Sequence, residues 1–488
     1  MPSLLRKVGS SSLGFVAGRA LAGLAGVLVL RALGPERSGV YGAALSFAAL
    51  FSVGATLGLD SALAGAVARD PAGAGGRWSA GLAQVALQAL ATAGLLALFL
   101  RLGGGARVPS RLVMTAYAVL AVNALGQVSA GAMQGLGRFG RQAVLGSLAS
   151  GLNALGLALL LVAGGVGVMA VVRMALLTAT LGAGIWWWGR PAELDWAWPR
   201  PRVMARSWRA GLPFALLTLG NLLFLKVDQV LLAYLVLPAA LGLYVAAVRL
   251  VDLLVPALVA LFNPLHPHLA ERFNRAAGGA DEAAAEARRA LERGLKYMAA
   301  VSWPLGVGGS LLAPYLVQAL YGPAFGGAAA ALALLVWVAA LSGLQGTLMQ
   351  AVHGLGRTSL LATLYGVNFV VNVVLNLCFI PRYGILASAV ISVTGELLNL
   401  AFLWWWCRRA GLGLSLRTLL WPSLPAALGM GLALGLLGPP AVRGMNPQVA
   451  AGLLVACGAA LFAGGLAMLG FFGPDERRLL GRLLGRSA

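Results

Sequence analysis

The amino-acid sequence predicts an all-α integral membrane protein with about fourteen transmembrane helices, in two parallel-repeat six-helix lobes plus two C-terminal helices. Three observations predict it. Of the 488 residues, 60% are hydrophobic and only 10% are charged, which is more apolar than a soluble domain of this size. Apolar runs of about twenty residues recur between Arg-, Pro- and Gly-rich breaks. The chain also matches itself at a shift of roughly 203 to 219 residues.

The helix cores, in order, are 12 to 33, 39 to 66, 79 to 100, 111 to 133, 142 to 163, 166 to 188, 211 to 236, 239 to 262, 297 to 319, 328 to 350, 358 to 380, 384 to 406, 418 to 437 and 447 to 472. The first run continues past Ala20 for a full crossing with no AxA-like exit, so it reads as an uncleaved anchor. The net charge of +21 sits mostly in arginines of short loops beside apolar runs. That is a topology signal and argues against nucleic-acid binding. With the N-terminus in the cytoplasm, the inner loops hold about 25 Lys and Arg and the outer loops about 7, and an even helix count places both termini inside. The longest inner loop contains DEAAAEARRALER (Asp281 to Arg293), which has helical spacing and predicts an amphipathic helix at the membrane surface or bridging the halves.

The repeat supports a division into an N-lobe (1–209), a C-lobe (210–410) and a segment of two additional helices with a basic tail (411–488). LGPERSGVYGAA, starting at Leu33, aligns with VLPAALGLYVAA, starting at Val236, and keeps Pro35/Pro238, Gly39/Gly242 and Tyr41/Tyr244. GLGR recurs at Gly135 and Gly354, which brings Asn153 onto Asn372. Six helices per unit is even, so the halves are related by an axis along the membrane normal. Trp186 to Trp188 and Trp404 to Trp406 close the sixth and twelfth helices and read as interface anchors.

Charges inside the apolar runs are the functional signal, because each costs at least a few kcal/mol when unpaired. Lys226 and Asp228 lie in the seventh helix, Arg249 and Asp252 in the eighth, and Glu396 in the twelfth. At 1.5 Å per residue, Lys226 and Arg249 sit at matching depth, about 16 Å below the outer surface. Two readings compete: interhelical ion pairs that only fix the helices, or a polar cavity whose cations receive an anion. The first half carries Gly23, Ala25, Ser46 and Ala49 at the repeat-equivalent positions, and Arg19 opposite Leu222. This asymmetry favours the cavity. Glu396 has only Asn399 as a polar neighbour on its own helix. Cys378, Cys407 and Cys457 have neither disulfide nor metal spacing, and no Walker loop, nucleophile elbow or HExxH occurs, so the sequence points to no metal, no ATP-driven transport and no enzyme.

RALGPERSGVYGAALSFAALFSVGATLGLDSALAGAVAR, KVDQVLLAYLVLPAALGLYVAAVRLVDLL and GLGRTSLLATLYGVNFVVNVVLNLCFIPRYGILASAV resemble bacterial polysaccharide-biosynthesis membrane proteins, the O-antigen or lipid-linked oligosaccharide flippases. That resemblance implies the multidrug/oligosaccharidyl-lipid/polysaccharide flippase fold, residence in the bacterial cytoplasmic membrane, and movement of a polyprenyl-diphosphate-linked oligosaccharide from the inner to the outer leaflet. In that setting Arg19, Lys226 and Arg249 would bind the diphosphate. Asn221, Gln229 and Asn372 would contact sugar. Asp228, Asp252 and Glu396 would serve ion coupling, to sodium or protons, or charge pairing. No other cofactor is implied. The partners implied are the lipid-linked substrate, membrane lipids, and glycan polymerases or glycosyltransferases, with no nucleic acid. A lipid II flippase and a cation-coupled multidrug exporter of the same superfamily are the alternatives, and Arg19 disfavours a site for cationic drugs.

Overall fold

The structure, a computed structural model, describes residues 2–105, 107–164, 166–262, 281–471 and 473; within its helices the side chains of residues 2–21, 212–218 and 221–225, among others, lie outside the description. The described residues are predominantly helical, with no strand among them. In chain order the long helices are α1 (Pro2–Thr56), α2 (Leu59–Arg69), α3 (Ala74–Arg101), α4 (Ser110–Gly135), α5 (Phe139–Val162), α6 (Val168–Trp188), α7 (Pro201–Leu235), α8 (Pro238–Phe262), α9 (Asp281–Tyr321), α10 (Ala328–Gly354), α11 (Thr358–Tyr383), α12 (Ile385–Cys407), α13 (Ser423–Ala441) and α14 (Pro447–Met468). Among the described residues, twelve helical segments are long and apolar enough to cross a membrane. One of them, Ala22–Arg69, is 48 residues long. At 1.5 Å per residue it has the length of two crossings.

Two breaks explain that double span. Gly34 adopts φ 75° and ψ 169°, and Pro35 follows it. The positive φ is open to glycine without a Cβ penalty, and proline then starts the next helix without losing a needed donor. α1 is thus two helices joined at a kink. The second break, at Leu57 (φ 43°) and Gly58 (φ 67°), separates α1 from α2, so the second predicted helix is interrupted toward its arginine-rich end.

The ninth helix differs from expectation as well. DEAAAEARRALER is the first part of the 41-residue α9 and does not form a separate surface helix. Ala287, Ala290, Leu291, Leu295 and Met298 are buried at i, i+3, i+4 spacing, packed with Leu344, Leu348 and Val352 of α10. A continuous apolar face leaves no reason for the helix to end at Arg293.

Two compact units are distinguished by their internal packing. One comprises residues 1–249 with 373–385, and the other 250–372 with 386–488. The first unit is cored by Leu59, Leu63, Val67, Trp78, Val128 and Met133, where α2, α3 and α4 meet. In the second, Leu312 of α9 packs with Ala426, Met430 and Leu434 of α13 and Leu454 and Phe462 of α14. The last two helices are therefore integrated through α9. Trp404 is buried in the second unit's core, unlike exposed Trp188, so the two tryptophan runs are only partly interface anchors.

Within the first unit the repeat is visible as geometry. A methyl group on Gly39 would overlap the Pro238 carbonyl and come within 3.0 Å of the Gly242 nitrogen. A methyl group on Gly242 would overlap the Pro35 carbonyl and come within 2.9 Å of the Gly39 nitrogen. The two contacts are reciprocal at a shift of 203 residues. We expect Gly39→Ala and Gly242→Ala each to destabilise by roughly 1–3 kcal/mol, because backbone has to move to admit the methyl. Gly65→Ala, on an open helix face with nothing within 4 Å, should be neutral or slightly stabilising. Thermal unfolding midpoints of the three purified variants check this; equal midpoints would show that the close approach of Gly39 and Gly242 does not stabilise the unit.

Candidate functional site

α8 carries Arg249 to the first half of α1. Its Nη2 donates to the Ala22 carbonyl at 3.3 Å. The guanidinium lies so closely over Gly26 that a Cβ there would be 2.6 Å from Nε and 2.8 Å from Cζ. Gly26 is thus the space in which Arg249 is held. The repeat-equivalent contact is made by different chemistry: Gln229, equivalent to Gly26, accepts a 3.0 Å hydrogen bond from Ser46, equivalent to Arg249. The Ser46 hydroxyl also lies 2.9 Å from the Gly42 carbonyl.

The two equivalent tyrosines are divided in the same way. Tyr244 donates to the Asp228 carboxylate, whose other oxygen accepts from the Gln229 backbone N–H at 2.7 Å. Tyr41 lies within electrostatic reach of Arg249. One tyrosine therefore faces an anion and the other a cation. Asp228, expected to need a partner from another helix, finds Tyr244 on α8.

Lys226 is half-buried and has no hydrogen bond or ion pair among the described residues. Arg249 likewise has no ion pair among them, only its backbone carbonyl. Asp252 is exposed and belongs to the other compact unit. The side chains of Arg19 and Asn221 lie outside the described residues. Of the three expected sugar contacts, Gln229 is buried in the first unit and Asn372 is buried in the second.

The second unit has its own polar centre around Glu396, 8% exposed on α12. Asn399, the neighbour expected from the sequence, is not its partner: Gln345 of α10 donates to the Glu396 carboxylate, and also to the Glu396 backbone carbonyl at 3.0 Å. The Asn399 amide nitrogen is buried and makes no hydrogen bond among the described residues. Tyr365 of α11 lies within electrostatic reach of Glu396 and donates to the Met349 sulfur at 3.0 Å. Sequence reading missed Gln345, Tyr365 and Gly26. A mid-helix glutamine in LSGLQGTLMQ was the available signal for the first. Gly26 looks like any other glycine in an Ala/Gly-rich run.

The class defined by these features is a polytopic all-α membrane fold with an internal repeat and charges held inside its spans. Among solved structures it is similar to a lipid II flippase MurJ in an inward closed conformation, with TM-score 0.72 and 12% identity over 93% of this chain and 98% of that one. It is also similar to a multidrug resistance MATE family transporter of the MOP superfamily. The inward-facing form gives TM-score 0.62 and 18% identity over 80% of this chain and 95% of that one. The outward-facing form gives 0.55 and 18% over 83% and 96%. No curated protein matches its sequence. The sequence model of a family described as polysaccharide biosynthesis protein matches residues 28–330, and the chain belongs to that family.

The geometry around Glu396 makes a stability prediction. Gln345→Leu leaves a buried carboxylate without its side-chain donor and should cost about 1–3 kcal/mol. Combining it with Glu396→Leu should recover much of that loss. Thermal unfolding of both single variants and the double variant gives the coupling directly; additive losses would show that the two side chains do not depend on each other.

Proposed function

We propose that this protein carries a polyprenyl-diphosphate-linked oligosaccharide from the inner to the outer leaflet by alternating access, with both termini in the cytoplasm and no catalytic step. The observation that carries the reading is Arg249: a guanidinium inside a membrane span, bonded to one backbone carbonyl and to no carboxylate among the described residues. Arginine has five N–H donors in a planar fork. A diphosphate offers the matching oxygens, and such charge-assisted bonds are shorter and about twice as strong as neutral ones. Lys226, without a described partner, adds a second positive charge on α7, and Arg19 is a third candidate on α1.

A cationic drug would meet the wrong sign of charge here. The same cations suit any polyprenyl diphosphate, so a lipid II flippase remains the second reading, favoured by the likeness to MurJ over nearly the whole chain. Gln229 and Asn372, with Asn221, are the polar groups we assign to the sugar, and coupling to sodium or protons is assigned to Asp228, Asp252 and Glu396. Glycan polymerases or glycosyltransferases would act before and after the translocation step.

Arg249→Ala and Lys226→Ala should each lower export about tenfold to a hundredfold, the loss expected from a charged hydrogen bond worth about 1.5–3 kcal/mol. Gly26→Ala should also impair export while leaving folding intact, because the atoms that must move are the far end of the Arg249 side chain. The assay is surface glycan in a strain lacking its oligosaccharide flippase, with membrane-inserted protein quantified in parallel. Full export by all three variants would sink the cationic-site reading. Rescue of a lipid II flippase depletion, but not of the oligosaccharide strain, would select the second reading; resistance to toxic cations alone would select the drug exporter.

Coupling has its own test. In proteoliposomes, Glu396→Gln should keep substrate binding but lose the dependence of transport on an imposed sodium or proton gradient. Unchanged gradient dependence would exclude Glu396 from coupling.

A further inference from the structure

A second positively charged feature lies well away from Arg249 in sequence, at the arginine-rich end of the first unit. α2, the start of α3, the segment before α7 and the first turns of α7 enclose a cavity of about 640 Å3. That size is within the range of about 300–1,000 Å3 found for small-molecule sites. Its wall includes Arg69, Arg77, Arg200, Arg206, Ser207 and Trp198. Arg77 is held by Asp70, which it ion-pairs, and by the Ala66 carbonyl at 3.3 Å. The Arg77 guanidinium, by hydrogen bond and then by charge, keeps the Asp70 carboxyl below the usual carboxylate range. Arg69, Arg200 and Arg206 make no ion pair or hydrogen bond through their side chains among the described residues. Four arginines thus line the cavity, and of these only Arg77 is ion-paired among the described residues.

The wall is braced. Gly75 of α3 lies against the Asp195 backbone so closely that a Cβ there would be 2.6 Å from its carbonyl oxygen. The Ala197 N–H donates to the Ser79 hydroxyl at 3.0 Å. Trp78, fully buried, packs on Trp187 and Trp196, with the Arg190 guanidinium 4.4 Å from the Trp187 ring centre. These contacts fix the segment that carries Trp198 and Arg200. On α7, Val203, Arg206, Ser207 and Ala210 recur at i, i+3, i+4 intervals and so form one helix face toward the cavity, with Arg200 at the N-cap just before it.

We infer that this cavity is a phosphate site, filled from the membrane by the headgroup of an anionic phospholipid. Arginine forks bind phosphate oxygens bidentately. Basic pockets between transmembrane helices are the expected receptors for such headgroups. Depth favours a lipid over a dissolved anion: Trp196 and Trp198 are exposed tryptophans beside the end of a span, and exposed tryptophan settles at headgroup level. The site uses no residue assigned to transport and does not rest on the transport reading.

The test titrates phosphatidylglycerol, phosphatidylcholine or inorganic phosphate into the detergent-solubilised full chain and reads the thermal unfolding midpoint. Phosphatidylglycerol should stabilise the wild type where phosphatidylcholine does not. In Arg69→Gln/Arg206→Gln its apparent affinity should fall at least about tenfold, since each arginine near an anionic surface contributes severalfold. Arg289→Gln/Arg408→Gln, which removes the same charge outside the cavity, should bind as the wild type does. Protection by inorganic phosphate alone, lost in the cavity variant, would support the phosphate site but assign it a soluble ligand. Equal phosphatidylglycerol binding by all proteins, or an equal loss in the charge-matched control, would overturn the inference. Should Arg69→Gln/Arg206→Gln fail to fold, Arg200→Gln, at an exposed position just before α7, provides the same comparison.

Discussion

Backbone meets backbone at Gly39 and Gly242, and the rest of the first unit is arranged about that crossing. Each repeat starts a helix with a proline, Pro35 or Pro238, and each proline carbonyl rests against the glycine of the other copy. Inside a bilayer, lipid is as apolar as leucine, so helices gain little from hydrophobic burial against one another and rely on close packing at small residues. Gly42, where a Cβ would press on the Val245 side chain, continues the same seam. A contact this close tolerates no side chain, so it fixes which residues of the two copies lie opposite each other.

That fixed register is what gives the charge differences meaning. Gly26 and Gln229 occupy equivalent places, as do Ser46 and Arg249, and Ala25 and Asp228. On one side a neutral amide meets a hydroxyl, a net contribution of about 1 kcal/mol. On the other a guanidinium lies against a bare helix. A scaffold that needed only to hold its helices together could have used the neutral pair twice. The copy that carries the charge bears a desolvation cost of at least a few kcal/mol, which one carbonyl bond of about 1.5–3 kcal/mol does not clearly offset. A ligand anion would offset it.

Much of the fold was legible in the sequence because membrane insertion forces long apolar helices and the repeat left matching Pro, Gly and Tyr positions. Helix ends inside merged elements were not legible: the DEAAAEARRALER segment has the charges of a surface helix, and only the packing of Leu291 and Leu295 on α10 shows that it belongs to α9. The candidate site was half legible. A charge in an apolar run announces itself, so Arg249, Asp228 and Glu396 stand out. Among the described contacts, neutral residues on other helices lie against them: Gly26, Tyr244 and Gln345. Spacing along one helix carries no information about which neutral side chain a neighbouring helix brings opposite. Ion pairing and a polar cavity are both open from the sequence, and among the described contacts uncharged groups lie against Arg249, Asp228 and Glu396.

The choice of partner for Glu396 follows the same logic and bears on what the second unit can do. An arginine opposite a buried carboxylate favours the ionised state and resists its loss. An amide is less committal: its N–H can donate to a carboxylate, and its carbonyl can accept from a protonated carboxyl. Gln345, tied at the same time to the Glu396 backbone carbonyl, is held in place whatever the charge on the carboxyl. Glu396 can then gain or lose a cation without dismantling the contact between α10 and α12. Among the described residues, Lys226 and Arg249 of the first unit make no ion pair, and the buried Glu396 carboxylate of the second has no cationic partner. Charges left open in this way are suited to ligands that come and go.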